Sequence, residues 1–354
     1  MFNPVRFGTP PEATPSEMPT WGELLAELSQ PENKLPNGMP DFDGLRRKYL
    51  VKLFQLTQRP TILYYTDWFN KGGPASSITL EDMQGMMEVC KDLPGPHLDI
   101  ILHSPGGSPE AAASIVRYLR SKFTDIRVFV PLAAMSAATM WALASNRIVM
   151  GKHSQLGPID PQLVASAWQA PARAILRQFE QAKEECRDPA LLGAWIPILQ
   201  QYGPALIQQC EAAETLAKRL VQEWLAQYMF LHYDDKDERA EKTANYFADY
   251  ETHQSHSLGI DRKQARDNGV IIDDLESNQD LQDAVLTVHH ATMHTLQGPA
   301  VKIVENHLGR AFVKMTQQMV VQMPMSAPGF AGFPRVPPPD GSDAPTPSTM
   351  QVAE

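Results

Sequence analysis

The sequence predicts an α/β fold built on a mostly parallel sheet, with a helical insertion. Three observations carry that prediction. Between residues 98 and 150, β-type runs alternate with helical ones: LDIIL, PEAAASIVRYLRSK, DIRVFV, MSAATMWALA and RIVM follow one another. Strands interleaved with helices imply parallel pairing through right-handed crossovers. Residues 164–230 then read almost entirely as helix, with Trp195, Trp224 and Leu/Ile positions forming an apolar stripe. Finally, 354 residues at 43% hydrophobic content suffice for one large domain with smaller additions.

The elements follow in order. Residues 1–42 hold many prolines and little periodicity and read as a flexible arm, relieved by a short helix in WGELLAEL. The core is expected over residues 43–163. It opens with a helix that spaces Leu45, Tyr49, Leu50, Leu53 and Leu56 on one face, and Pro60 breaks that pattern before the strand TILYY. Residues 79–91 suit a helix with Thr79 as N-cap. The strand LDIIL then runs into a tight turn, HSPGGS, and Pro131 opens a second turn before the small-residue helix at 135–144. Residues 164–245 form the helical insertion, ending in a charged, solvated stretch at 231–242. The core closes over residues 246–322: a helix, Gly269 as its C-cap, a final strand, and one more helix across 279–308. Residues 323–354, rich in Pro and Met, read as a disordered tail open to interaction.

Bulk properties exclude several functions. A formal net charge of -10 and the absence of any long Lys/Arg block argue against nucleic acid and anionic lipid as partners. Cys90, Cys186 and Cys210 are too far apart for CxxC, which argues for a reducing compartment and against a disulfide scaffold or metal site. No apolar signal region or membrane-length run is found, so a cytoplasmic protein is expected. There is no GxGxxG fingerprint, and no cofactor is expected.

Two turns permit chemistry. Gly106 and Gly107 directly follow a strand, where a backbone free of Cβ atoms lets amides converge on one oxygen. The same pair also suits an ordinary strand-to-helix turn. Ser136 starts the next helix, either as a nucleophile beside an oxyanion site or as a plain N-cap. Because both turns end consecutive strand units of a parallel sheet, they lie at the same sheet edge. A serine nucleophile needs a base. His103, His153, His253 and His256 lie near plausible loops, whereas His289, His290 and His294 fall on the last helix and read as a solvated face. Lys183 and Lys218 on the insertion are the lysine candidates.

The segments HSPGGSPEAAASIVRYLRSK and FVPLAAMSAATMWALASNRIVMGKHSQLGPIDPQ resemble the serine dehydrogenase proteinase family, part of the Clp-protease and crotonase-like superfamily. Signal peptide peptidase A and the Clp proteolytic subunit are relatives. The resemblance implies repeated ββα units for the fold and a serine peptidase for the activity. It implies Ser136 as nucleophile, Gly106, Gly107 and the Ala137 amide as oxyanion donors, and a role for Asp160. The loop QLGPIDPQ lacks the histidine that the Clp subunit carries there, while SHSLGI places His256 where that subunit has its acidic residue. A site of Ser136, His256 and Asp160 follows, with a Ser136–Lys218 dyad as the alternative. The resemblance further implies polypeptide substrates and a homo-oligomer, and any ATPase or adaptor would be a separate chain, since no Walker A motif is present. A catalytically inactive peptide-binding scaffold is the competing reading, and a crotonase-type acyl-CoA enzyme ranks after it.

Overall fold

A computed structural model describes residues 18–164 and 168–316. Its strands are β1 (Thr61–Thr66), β2 (His97–His103), β3 (Asp125–Val130), β4 (Ala133–Ala134), β5 (Arg147–Met150), β6 (Gln155–Leu156), β7 (Gln162–Val164), β8 (Gln169–Pro171), β9 (Ile260–Asp261), β10 (Ile272–Asp274), β11 (Ala300–Asn306) and β12 (Ala311–Met315). Seven of them form one sheet in the order β10-β5-β3-β2-β1-β11-β12. From β10 to β1 every pairing is parallel, while β11 and β12 close one edge antiparallel.

Alternation along the strands sends side chains to two cores. Ile62, Tyr64, Ile100, Leu102, Val128 and Val130 face one, and Leu63, Tyr65, Ile101 and Phe129 face the other. Over the second lie α1 (Trp21–Ser29) and α2 (Phe42–Thr57) with the C-terminal helix. Over the first lie α3 (Asp82–Val89), α4 (Pro109–Arg120) and α5 (Ala137–Leu143). With both faces covered, the central strands can be almost wholly apolar.

The insertion holds α6 (Ala172–Glu185), α7 (Pro189–Leu199) and α8 (Leu206–Trp224), the last running into a π-helical turn at Leu225–Met229. Its outer part has a small core of its own, Ala172, Ile175, Leu206 and Cys210, whereas Ala217, Val221 and Trp224 join the main core. After it come α9 (Lys236–Ala248), α10 (Tyr250–His253), α11 (Arg262–Asp267) and α12 (Gln279–Leu296).

Three expectations need correction. Part of the segment read as a flexible arm is packed: α1 buries Leu24 and Leu28 against the second core. The helix expected across 279–308 stops at Leu296, because Gly298 and Pro299 interrupt it and AVKIVEN pairs with β1 as a strand. The histidines of α12 are not a solvated face, since His289 and His294 are buried. The expected tail at 323–354 and the first seventeen residues lie outside the described residues. Cys90, Cys186 and Cys210 are free thiols, and no described helix is long and apolar enough to cross a membrane.

Candidate active site

A second, three-stranded sheet in the order β4-β6-β9 gathers the candidate residues. β4 and β6 are parallel, and β9 is antiparallel to β6. Ser136 follows β4 by two residues, Asp160 follows β6 by four, and His256 precedes β9 by four. Because β9 runs the other way, all three positions emerge from the same end of this sheet.

Ser136 holds the N-cap position of α5, with its carbonyl accepting from the Met140 N–H at 3.0 Å. Its hydroxyl caps nothing. The N-cap expectation is therefore met by the backbone alone, which leaves Oγ unspent on the helix. The residue adopts φ 50° and ψ -121°, a region that non-glycine residues rarely occupy. Such strain persists only where the surroundings over-determine it. Thr139 Oγ1 supplies part of that constraint: it donates to the Ala134 carbonyl at 2.7 Å and accepts from the Gly157 N–H at 2.9 Å.

The glycine turn packs directly on this corner. Ser104 bridges Ala134, with Met135 N–H donating to the Ser104 carbonyl at 2.9 Å. A Cβ on Gly106 would lie 2.7 Å from Ser136 Cβ and 2.8 Å from the Ala137 nitrogen, and φ there is +97°. Only glycine allows this approach. The Gly106 N–H donates to Ser104 Oγ at 3.2 Å and its carbonyl accepts from Ile78. The Gly107 and Ala137 amides have no acceptor among the described residues.

His256 Nδ1 lies 2.7 Å from Asp160 Oδ1, although the two are 96 residues apart in sequence. Asp160 is buried, and its other oxygen accepts from Gln162 Nε2 at 2.8 Å. A carboxylate on Nδ1 keeps the proton there and leaves Nε2 as the acceptor nitrogen of a ring that is 23% exposed. No hydrogen bond joins His256 to Ser136 among the described residues.

The other candidates are placed elsewhere or otherwise engaged. His103 is buried, faces the second core, and donates from Nδ1 to the Ala133 carbonyl at 3.1 Å. Burial pushes its pKa down to about 4. His253 donates from Nε2 to the Tyr246 carbonyl at 2.7 Å, and His153 is exposed. Lys183 pairs with Glu180 on an exposed helix face. Lys218 has no hydrogen bond or ion pair among the described residues and lines a cleft of about 450 Å³ with Pro161, Arg173, Glu214, Lys242 and Tyr246. Burial, with the charge of Asp160 adding to it, raises the Glu214 pKa against the pull of Arg173. That cleft adjoins the Asp160 loop, since Pro161 forms part of its wall.

Sequence reasoning passed over Ser104, Thr139, Gln162 and Ile78. Gln162 could have been found, because it closes the PIDPQ segment two residues after Asp160. Ile78 and Thr139 look like ordinary apolar and helical positions, and only the fold reveals their contacts.

Residues 75–264 match the model of a family described as ClpP-like SDH-type serine proteinases. Two uncharacterized proteins of Methanocaldococcus jannaschii are similar to the chain. One is 37% identical over 116 residues, covering 32% of this chain and 39% of the relative. The other is 33% identical over 119 residues, covering 32% and 38%. The matched part thus spans about two-fifths of the length of these curated relatives. Among solved structures, a mutant of the membrane-bound stomatin-specific protease 1510-N overlaps 56% of this chain and 75% of its own, at 18% identity and a TM-score of 0.33.

Proposed function

The chain belongs to the family of ClpP-like SDH-type serine proteinases, and from that premise we propose that it hydrolyses peptide bonds through an acyl-enzyme on Ser136. The Ser136 hydroxyl attacks the peptide carbonyl while His256 Nε2 takes its proton. The carbonyl oxygen, now an oxyanion, is held by the Gly107 and Ala137 amides, with Gly106 supplying the room for close approach. The tetrahedral intermediate collapses, the His256 proton passes to the leaving amine, and the ester remains on Ser136. Water then attacks the acyl carbon as His256 takes one of its protons; the bond to Ser136 Oγ breaks, His256 returns that proton to Oγ, and the acid leaves a free serine. Asp160 holds the His256 ring in the required tautomer and steadies its positive charge, and Gln162 fixes the carboxylate in turn.

The observation that carries this reading is the hydrogen bond from His256 to the buried Asp160, at the sheet end from which Ser136 also emerges. The test is labelling with a fluorophosphonate probe, which reports an activated serine without knowledge of the substrate. Wild type should label, Ser136→Ala should not, and His256→Ala should label at least 100-fold more slowly. An unlabelled wild type beside a labelled control peptidase would sink the proposal.

A Ser136–Lys218 dyad is the second reading, favoured by Lys218, which has no partner among the described residues, in the cleft beside Pro161. It predicts the reverse: Lys218→Ala loses labelling while His256→Ala keeps it. An inactive peptide-binding scaffold is the third, favoured by the absence of a Ser136–His256 hydrogen bond. It predicts peptide binding that survives Ser136→Ala and no cleavage by wild type. The substrates on our reading are polypeptides, unfolding power comes from a separate chain, and the exposed Leu191, Leu192 and Ile196 of α7 offer a face for a second copy.

A further inference from the structure

Lys302 and Asp82 form a buried ion pair, Nζ to Oδ1 at 2.5 Å, with both side chains excluded from solvent. Nothing in the proposed chemistry uses it, and burying two charges is costly unless geometry and hydrogen bonds compensate. The surrounding bonds show what the pair holds. Lys302 Nζ also donates to the Ser77 carbonyl at 2.8 Å. Asp82 Oδ2 accepts from the Thr79 N–H at 2.9 Å and from the Tyr64 hydroxyl at 2.8 Å. The pair therefore grips the backbone on either side of Ile78.

Ile78 in turn sets the glycine turn. Its N–H donates to the Gly106 carbonyl at 2.7 Å, and its carbonyl accepts from the Ser108 N–H at 2.9 Å. This is a parallel bridge between Ile78 and Gly107. In such a bridge the neighbours of the bridged residue do the bonding, so the N–H of that residue points to the opposite side. Against the turn on its other flank lies the serine corner, since a Cβ on Gly106 would meet the Met135 carbonyl, Ser136 Cβ and the Ala137 nitrogen. The Gly107 amide accordingly faces the serine corner and has no acceptor among the described residues. A Cβ on Gly107 would collide with the Ile78 backbone, so the contact is tight as well as directional.

We propose that the buried Lys302–Asp82 pair is a positioning device that aims the Gly107 amide at the reacting carbonyl oxygen through Ile78. The inference rests on Gly107 being an oxyanion donor, and it makes Lys302 and Asp82 positioning residues that never touch substrate. Removing one oxyanion donor costs on the order of 10²–10³ in kcat, and letting a donor swing out of line should cost on the order of 10- to 100-fold.

The experiment measures p-nitrophenyl acetate hydrolysis by the full chain in wild type, Ser136→Ala, Lys302→Met and the double variant Lys302→Met/Asp82→Leu. The double variant matters because replacing both members of a buried ion pair by apolar groups is often neutral or stabilising, so it reports even where the single variant fails to fold. We expect kcat to fall about 10- to 100-fold in the double variant, KM to stay within twofold, and the limbs of the pH–rate profile not to move. A folded double variant with kcat within threefold of wild type overturns the inference. A displaced limb overturns it too, because Lys302 would then carry a proton itself. Turnover that persists in Ser136→Ala refutes the nucleophile assignment instead, and this inference with it.

Discussion

Acid should weaken this fold through the histidines buried behind the glycine turn. His103 sits wholly buried at the end of β2, with Nδ1–H given to the Ala133 carbonyl and Nε2 without a partner among the described residues. Around it pack Tyr65, Trp68, Phe69 and His289, and His289 in turn neighbours His290. A second proton on His103 would find no acceptor. Burial accordingly lowers its pKa from 6.5 to about 4, against the opposite pull of the hydrogen bond to the Ala133 carbonyl and, after it, of Asp67, which is itself paired with Lys71. Burial also lowers His289, His290 and His294. The unfolded chain thus binds more protons than the folded one between the two pKa values, and stability rises with pH there. The contribution is complete above pH 6.5 and is lost as the pH falls toward 4. From a shift of 6.5 to about 4, His103 alone withdraws about 2 kcal/mol by pH 5 and about 3 kcal/mol by pH 4. The assay is urea unfolding followed by tryptophan fluorescence at pH 7.5 and 5.0, for wild type and His103→Asn. Asparagine can still donate to Ala133 but does not titrate. Titrating groups remote from His103 cancel in the comparison, so the variant should lose about 2 kcal/mol less than wild type over that interval. Equal losses in the two proteins would refute the assignment of acid sensitivity to His103.

Three other outcomes follow from the geometry. Asp160→Asn should leave the fold intact but lower kcat about 100-fold or more, by taking away the acceptor that fixes the His256 tautomer; steady-state kinetics beside an unchanged urea midpoint will show it. Gly106→Ala places a methyl 2.7 Å from Ser136 Cβ at a backbone angle alanine avoids, so fluorophosphonate labelling should fall at least tenfold, and an unchanged rate would mean that the corner is loose. Glu305→Gln takes away the buried carboxylate to which Arg46 donates at 2.6 Å and leaves the half-exposed Asp43 as its remaining anion; it should cost about 2 kcal/mol in urea unfolding, with Arg46→Met/Glu305→Leu recovering most of the loss.

How far these features can be read in the sequence depends on whether a short stretch of chain determines them. The strand and helix runs between 98 and 150 are legible because side-chain period is a local property, and each run lands within a residue or two of its observed bounds. Gly106 against Ser136 is legible for a related reason, since consecutive crossovers of a parallel sheet must end at one edge. The end of the helix near 296 is legible in Gly298-Pro299, a strong stop that the expected helix overran; only the antiparallel pairing of AVKIVEN with the open edge of β1 needs the fold. The α12 histidines need the fold too: polar side chains mark a solvated face only where nothing covers them, and here α1 and the end of β2 do, with His294 Nε2 donating to the Trp21 carbonyl.

The candidate site divides along the same line. Asp160 and His256 lie 96 residues apart across the whole insertion, and no local pattern in either segment announces the other; in the sequence only the resemblance to a family connects them. Lys302 and Asp82 are separated by 220 residues and carry no motif at all. Lys302 falls in the stretch that reads as helix, and nothing local marks it as buried until β11 is found beside β1, which turns that position inward over Tyr64. Burial of that charge is tolerable only because Asp82 and the Ser77 carbonyl were already there to receive it. The parts of an α/β site that recur from unit to unit are written in periodicity and glycine, while the parts that aim them are written in long-range charge pairs, which a sequence exposes only after its strands have been put in order.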